Sequence, residues 1–414
     1  MTWHSLLGFF TLAAIAWLCS ENRRRIPLRP VLAGLGLQLI LGWMLLTVPG
    51  FKRFFILLNE GISSLEQATA QGTAFVFGYL GSGPLPFAET KLGASYILAF
   101  RALPMVLVVS ALAALLFHWR VLPWIVRGFS RLLQHTMGIG GALGLSAAAT
   151  IFVGMVEAPL LIRPYLKEMT RSELFGVMAT GMATIAGTMM VIYAAILGPV
   201  IPDAMGHIMI ASLLSAPAGL TVAMIMVPET ASPTTGRFTN LQPARNSMEA
   251  ITQGTLDGIG LLINIIAFLI VLVALVALAN QLLALLPSWG DAPLTLQRLF
   301  GWLLAPLTWL IGIPWSEAQV AGSLMGEKTV LNELIAYLDL AQLPEGALSP
   351  RSRLIMTYAL CGFANFGSLG IMLGGLGSMV PERQKEIAEL GMRAILAGTL
   401  ATLMTGAVLG IYYG

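Results

Sequence analysis

Residues 138–166 read GIGGALGLSAAATIFVGMVEAPLLIRPYL. The run from Ala142 to Gly154 is apolar and built of small residues, but only about 13 long, whereas a membrane-crossing helix needs about 20. Met155-Val156-Glu157 and Ala158-Pro159 interrupt it, and a second short apolar run ends at Arg163-Pro164. Neither half spans a bilayer alone. Two short halves joined by a polar break predict a re-entrant helical hairpin with its tip at mid-depth. Irregular backbone is tolerated there only under cover of protein or a watery cavity.

The pattern recurs. A full span at 172–197 follows the first hairpin and is interrupted at Thr184-Ile-Ala-Gly-Thr188. Further on, 314–341 again reads as two short halves. Its break is expected at Gly322-Ser-Leu-Met-Gly326 and Glu327-Lys328, with Val330-Leu-Asn332-Glu333 opening the other half. A span at 351–375 follows, interrupted over Gly362–Gly370, with Asn365 and Ser368 on one helix side. The order of hairpin then broken helix therefore occurs twice. Paired interruptions in two halves are a sequence pointer to a transporter site, where helix ends present free N–H and C=O groups to a solute or ion.

Composition excludes a soluble domain. The 414 residues are 57% hydrophobic and 10% charged, with mean hydropathy +0.82. The net charge of +3 is too small to argue for nucleic acid. Other spans are expected at about 3–20, 30–49, 94–118, 205–227 and 386–412, with 247–286 as a long helix continuing into a span and 296–312 as a further apolar segment. Residues 51–69 and 121–136 are amphipathic and suit helices in the membrane interface. Residues 229–246 form the one polar loop. The fold class is an all-α polytopic membrane protein. Arg23, Arg24, Arg25 and Arg29 follow the first apolar segment, which places that loop in the cytoplasm and the N-terminus outside.

Cys19 and Cys361 are too few and too separated for a disulfide framework or metal cluster. No nucleophile–base pair adjoins the breaks, so the chain does not read as an enzyme. Glu157 and Glu333 are the informative residues, because a charge in hydrocarbon costs on the order of 2.5 kcal/mol or more. The bland alternative is structural pairing, more plausible for Glu333 with Lys328 five residues back. For Asn365 and Ser368 it is a helix–helix hydrogen bond.

The chain strongly resembles the concentrative nucleoside transporters, in the shorter bacterial form with eight spans. The matching runs include Ile151-Phe-Val-Gly154, Glu157-Ala-Pro-Leu-Leu-Ile-Arg-Pro-Tyr-Leu166, Thr184-Ile-Ala-Gly-Thr188, Lys328-Thr-Val-Leu-Asn-Glu333 and Thr357-Tyr-Ala-Leu-Cys-Gly-Phe-Ala-Asn-Phe-Gly-Ser-Leu-Gly370. The resemblance implies nucleoside uptake driven by sodium or, in some members, by protons. It implies a homotrimer in the bacterial inner membrane, with a scaffold and a transport part that moves like an elevator. Residues 1–137 would be largely scaffold and interfacial helices. Residues 138–228 would hold the first hairpin, broken helix and next span, 247–295 a further scaffold span, 296–385 the second hairpin and broken helix, and 386–414 the last span.

By position, Glu333, Asn365 and Ser368 match the residues that hold ribose hydroxyls, with Asn332 beside them. Gly154, Met155, Val156 and Glu157 match the nucleobase side, together with Phe363 and Met189. Thr150, Val153, Thr184 and Ile185 match the sodium site. No other cofactor is implied. Two departures stand out: Met155-Val156 replaces the usual Gln-Thr, and Thr150 replaces an Asn. The first implies a more apolar base side, or a different or modified nucleoside-like cargo.

Overall fold

A computed structural model describes residues 2–88, 95–234, 244–287 and 293–413, and among them every regular element is a helix. α1 (Thr2–Leu18) and α2 (Leu28–Thr47) flank the arginine loop. α3 (Pro49–Phe77) opens on a proline, which sacrifices no helical bond in the first turn, and ends at Gly78, whose φ of +59° a side chain would resist. It is longer than the expected interfacial stretch. The expected span at 94–118 is in two pieces, α4 (Leu98–Arg101) and α5 (Met105–His118). Pro104 lacks the N–H that would continue the ladder across the join. α6 (Val121–Met137) is the second amphipathic stretch.

The first hairpin is α7 (Gly141–Ala149), an irregular tip, and the short α8 (Glu157–Leu160). Its following helix is broken as expected, into α9 (Arg171–Ala183) and α10 (Gly187–Leu197). Thr170 and Glu173 form a reciprocal capping box that starts α9. α11 (Ala204–Met226) is buried almost throughout, whereas α12 (Ser247–Leu283) is largely exposed. Of the polar loop expected at 229–246, residues 235–243 lie outside the described residues.

α13 (Leu296–Leu310) and α14 (Trp315–Val330) meet at a 117° bend. The second hairpin corrects the sequence reading. No break occurs at Gly322–Lys328: α14 runs unbroken to Val330, and the chain turns at Leu331-Asn332 into α15 (Glu333–Gln342). The glycines serve packing instead. A methyl group on Gly322 would lie 2.7 Å from the Gly301 carbonyl, and one on Gly326 would collide with Phe300, both on α13. The second broken helix is α16 (Pro350–Leu360) and α17 (Phe366–Met379). Its interruption, Cys361–Asn365, is narrower than expected. α18 (Gln384–Tyr412) closes the chain.

Six helices or helix pairs are long and apolar enough to cross a membrane among the described residues, and the bent α13–α14 pair meets the same test together. α5 and α12 pack on each other. α11 and α18 form the centre, against α9, α16, α2 and α1. The two breaks face each other at that centre: the Phe363 N–H donates to the Thr184 carbonyl at 3.2 Å, and a methyl group on Gly362 would lie 2.8 Å from the Ala183 carbonyl.

Candidate functional site

The turn at Leu331-Asn332 decides where the second carboxylate goes. Asn332 caps α15, its Oδ1 accepting the Ile335 N–H at 3.0 Å. That cap puts Glu333 in the first helical position, 4% exposed. Asn365 does the same for α17: its Oδ1 accepts the Ser368 N–H at 2.7 Å. The amide is thereby oriented, and its Nδ2 donates to Glu333 Oε2 at 2.9 Å. Glu333 Oε1 accepts from the Tyr193 hydroxyl at 2.6 Å. Glu333, Asn365 and Ser368 are thus brought together as expected. Two donors leave a carboxylate with unused lone pairs, and the Ser368 hydroxyl is not spent on the capping bond.

One member of this cluster, Tyr193, escapes the sequence. Tyr193 is the only tyrosine of α10, in an otherwise aliphatic half-helix, and a buried phenol needs a partner; which partner was unreadable. Its ring lies 4.9 Å from that of Tyr337, whose hydroxyl donates to the Thr357 carbonyl at 2.8 Å. Lys328 is fully buried but makes no ion pair with Glu333. Its ammonium donates to the Ala359 carbonyl and the Thr402 hydroxyl, both at 2.9 Å.

The first hairpin tip is arranged differently. Gly154 has φ +102°, and a methyl group there would lie 2.6 Å from Glu157 Oε2. Glu157 begins α8 with its side chain exposed and makes no ion pair among the described residues. No hydrogen bond joins Glu157 to Glu333. Met155 is buried and packs on α9: a methyl group on Gly181 would lie 3.0 Å from its Cβ. Val156 packs on α17, where a methyl group on Gly375 would lie 2.8 Å from Cγ1. The pair therefore joins the tip to both broken helices. Phe363 is half-buried in the second break. Met189 is buried in the first turn of α10.

Thr150 and Thr184 meet at the first break, and the Gly187 N–H donates to the Phe152 carbonyl at 3.0 Å, which sets the stretch holding Val153 against the stretch holding Ile185. The Thr150 hydroxyl donates to the Ala147 carbonyl at 2.9 Å. The Thr184 hydroxyl donates to the Thr180 carbonyl at 2.9 Å and lies 3.4 Å from the Thr150 carbonyl. No N–H among the described residues donates to the carbonyls of Val153 or Ile185. Hydroxyl and carbonyl oxygens without a formal charge form a donor set that fits a hard monovalent cation. No group of three His, Cys, Asp or Glu suited to a transition metal exists among the described residues.

Against known proteins, residues 7–80 match a family described as Na+ dependent nucleoside transporter N-terminus, 99–200 one described as nucleoside recognition, and 207–410 the Na+ dependent nucleoside transporter C-terminus. The chain is 38% identical to an uncharacterized transporter of Haemophilus influenzae, over 99% of this chain and 97% of that one. It is 36% identical to the nucleoside permease NupC of Helicobacter pylori, again over 99% and 97%. Among solved structures, CNTnw in an inward-facing substrate-bound state matches with a TM-score of 0.91 at 38% identity, covering 99% of both chains.

Proposed function

The chain belongs to the concentrative nucleoside transporter family, and from that membership we propose that it is an ion-coupled nucleoside importer, not an enzyme. The observation that carries the reading is the Glu333–Asn365 pair. It joins the tip of one hairpin to the cap of one broken helix and leaves carboxylate lone pairs free inside the protein. Glu333 accepts hydrogen bonds from ribose hydroxyls, Asn332, Asn365 and Ser368 complete the sugar clamp, and Tyr193 holds the carboxylate. Gly154, Met155, Val156 and Glu157 line the base side with Phe363 and Met189.

Sodium is the proposed coupling ion, held by Thr150, Val153, Thr184 and Ile185. The ion supplies positive charge that fixes the first hairpin tip against the break, so tip closure depends on it. The protein is proposed to act as a homotrimer in a bacterial inner membrane, N-terminus outside. An elevator motion is supported by the packing of α5 on α12, which suits a fixed frame, and of the broken helices around α11 and α18 with the hairpins packed on those broken helices, which suits a moving body. α1 and α2 pack on α11 and α18.

A second reading, in which the cargo is a modified or otherwise unusual nucleoside, is favoured by one observation. Met155 and Val156 are used in packing and offer a base edge no amide or hydroxyl. Uptake of a radiolabelled nucleoside panel into proteoliposomes, under separate sodium and proton gradients, tests all of this. Sodium-driven uptake of uridine or adenosine that Glu333→Ala abolishes is the expected result. Uptake that follows only a proton gradient rejects sodium coupling, and uptake that survives Glu333→Ala rejects the clamp.

A further inference from the structure

The two repeats treat their helix breaks differently. In the first, α9 ends at a break faced by Thr150 from the end of the first hairpin's leading helix, and Thr184 closes the helix itself. All of these groups are neutral. In the last turn of α9 the Thr184 hydroxyl donates to the Thr180 carbonyl, while among the described residues no side chain donates to those of Gly181, Met182 or Ala183.

In the second repeat, α16 ends at the corresponding break, faced by Lys328 from the last turn of the second hairpin's leading helix. Here the helix end is filled. As in the first repeat, a hydroxyl takes the first carbonyl of the last turn, Tyr337 donating to Thr357; the difference is the Lys328 ammonium, which donates to the Ala359 carbonyl while holding Thr402 of α18.

A fully buried ammonium without an ion-pair partner is costly. The C-terminal end of a helix repays part of that cost, because its unpaired carbonyls carry partial negative charge. Broken transporter helices use the same carbonyl ends to hold free cations. We propose that Lys328 is a tethered cation: its ammonium occupies, in the second repeat, the place that a free sodium ion takes in the first. The chain thereby keeps one break for the coupling ion and closes the other permanently, which sets the ion count per protomer. This rests on the sodium assignment at Thr150 and Thr184 made above. The inference extends that assignment to a residue outside both the ion site and the sugar clamp.

The consequence is specific. Shortening Lys328 to a small hydroxyl residue opens a second cation slot with oxygen ligands from Ala359, Thr402 and the new side chain. The test uses full-length protein purified in detergent and melted in sodium chloride or choline chloride at equal ionic strength, together with equilibrium binding of radioactive sodium. Lys328→Ser is combined with Thr150→Val, which disables the first site. The double variant is expected to melt higher in sodium than in choline, by a shift on the order of 3 °C, and to bind sodium, while Thr150→Val alone does neither. Lys328→Met fills the slot without charge, so Lys328→Met/Thr150→Val is expected to be destabilised in both salts and to ignore sodium. Equal melting of the Ser double variant in both salts, its failure to fold in either, or an equal sodium response from the Met double variant overturns the proposal. A wild type that ignores sodium while Lys328→Ser responds would instead reject the first-site assignment and leave Lys328 as the tethered cation.

Discussion

Glu333 is held by a phenol and an amide, not by a cation. That arrangement orients the carboxylate without pairing it to a cation, as the proposed role of accepting from sugar hydroxyls requires. A hydrogen bond to a charged group contributes roughly 1.5–3 kcal/mol. Tyr193→Phe removes one and leaves the Tyr337 contact in place. It is expected to raise the KM for nucleoside uptake roughly tenfold or more, and to lower the melting temperature by a few degrees, because a buried carboxylate oxygen loses its donor. An unchanged KM would mean that Tyr193 is only packing. The two carboxylates were legible from the sequence because a charge in an apolar run is conspicuous. Their partners were not. Nothing local in the sequence links Tyr193 to Glu333, or separates Lys328 from it, because both relations are made by tertiary packing across distant segments.

At the scale of elements, the broken helices were readable because polar residues and glycine cluster where an apolar period should continue. The capping box at Thr170 and Glu173 was likewise written locally. The second hairpin was misplaced because a glycine pair has two physical meanings, a break or a close approach, and Gly322 and Gly326 serve the latter against α13. The same distinction makes a test on α17. Gly374 has open space beside it, whereas a methyl group on the adjacent Gly375 meets Val156 of the first hairpin tip at 2.8 Å. Overpacking of this kind costs about 1–3 kcal/mol. Gly375→Ala is therefore expected to displace the tip and lower the uptake rate severalfold, with Gly374→Ala close to wild type. Adding Val156→Ala to Gly375→Ala should restore uptake. Equal effects at the two glycines would show that the tip does not rest on α17 during transport.

At the scale of the whole molecule, one charged knot fastens the first loop to the centre. Glu21 lies between α1 and α2 and takes Arg171 of α9 at 2.9 Å and Arg393 of α18 at 2.7 Å. Arg171 also reaches Glu386 at 3.6 Å, and the Glu21 N–H donates to the Met226 carbonyl at 2.8 Å. The loop that the positive-inside rule places in the cytoplasm is thus tied to helices of the proposed moving body, and α1 and α2 should travel with it. The hydrogen bond from Arg171 holds the Glu21 carboxyl below its ordinary value of 4.5, with the charges of Arg171 and Arg393 acting the same way against partial burial. A depressed folded pKa gives stability that is present above the unfolded value and is lost as pH falls through the folded one. The contribution should therefore be complete at neutral pH and disappear below about pH 4.5. The pair is partly solvent-screened, so its size is on the order of 1 kcal/mol or less. Glu21→Gln is expected to lower the melting temperature by about 1–2 °C at pH 7 and to converge on the wild type in acid. A gap between the two proteins that persists unchanged at low pH would show that the difference does not come from the carboxylate's charge, and that the arginines do not anchor the first loop.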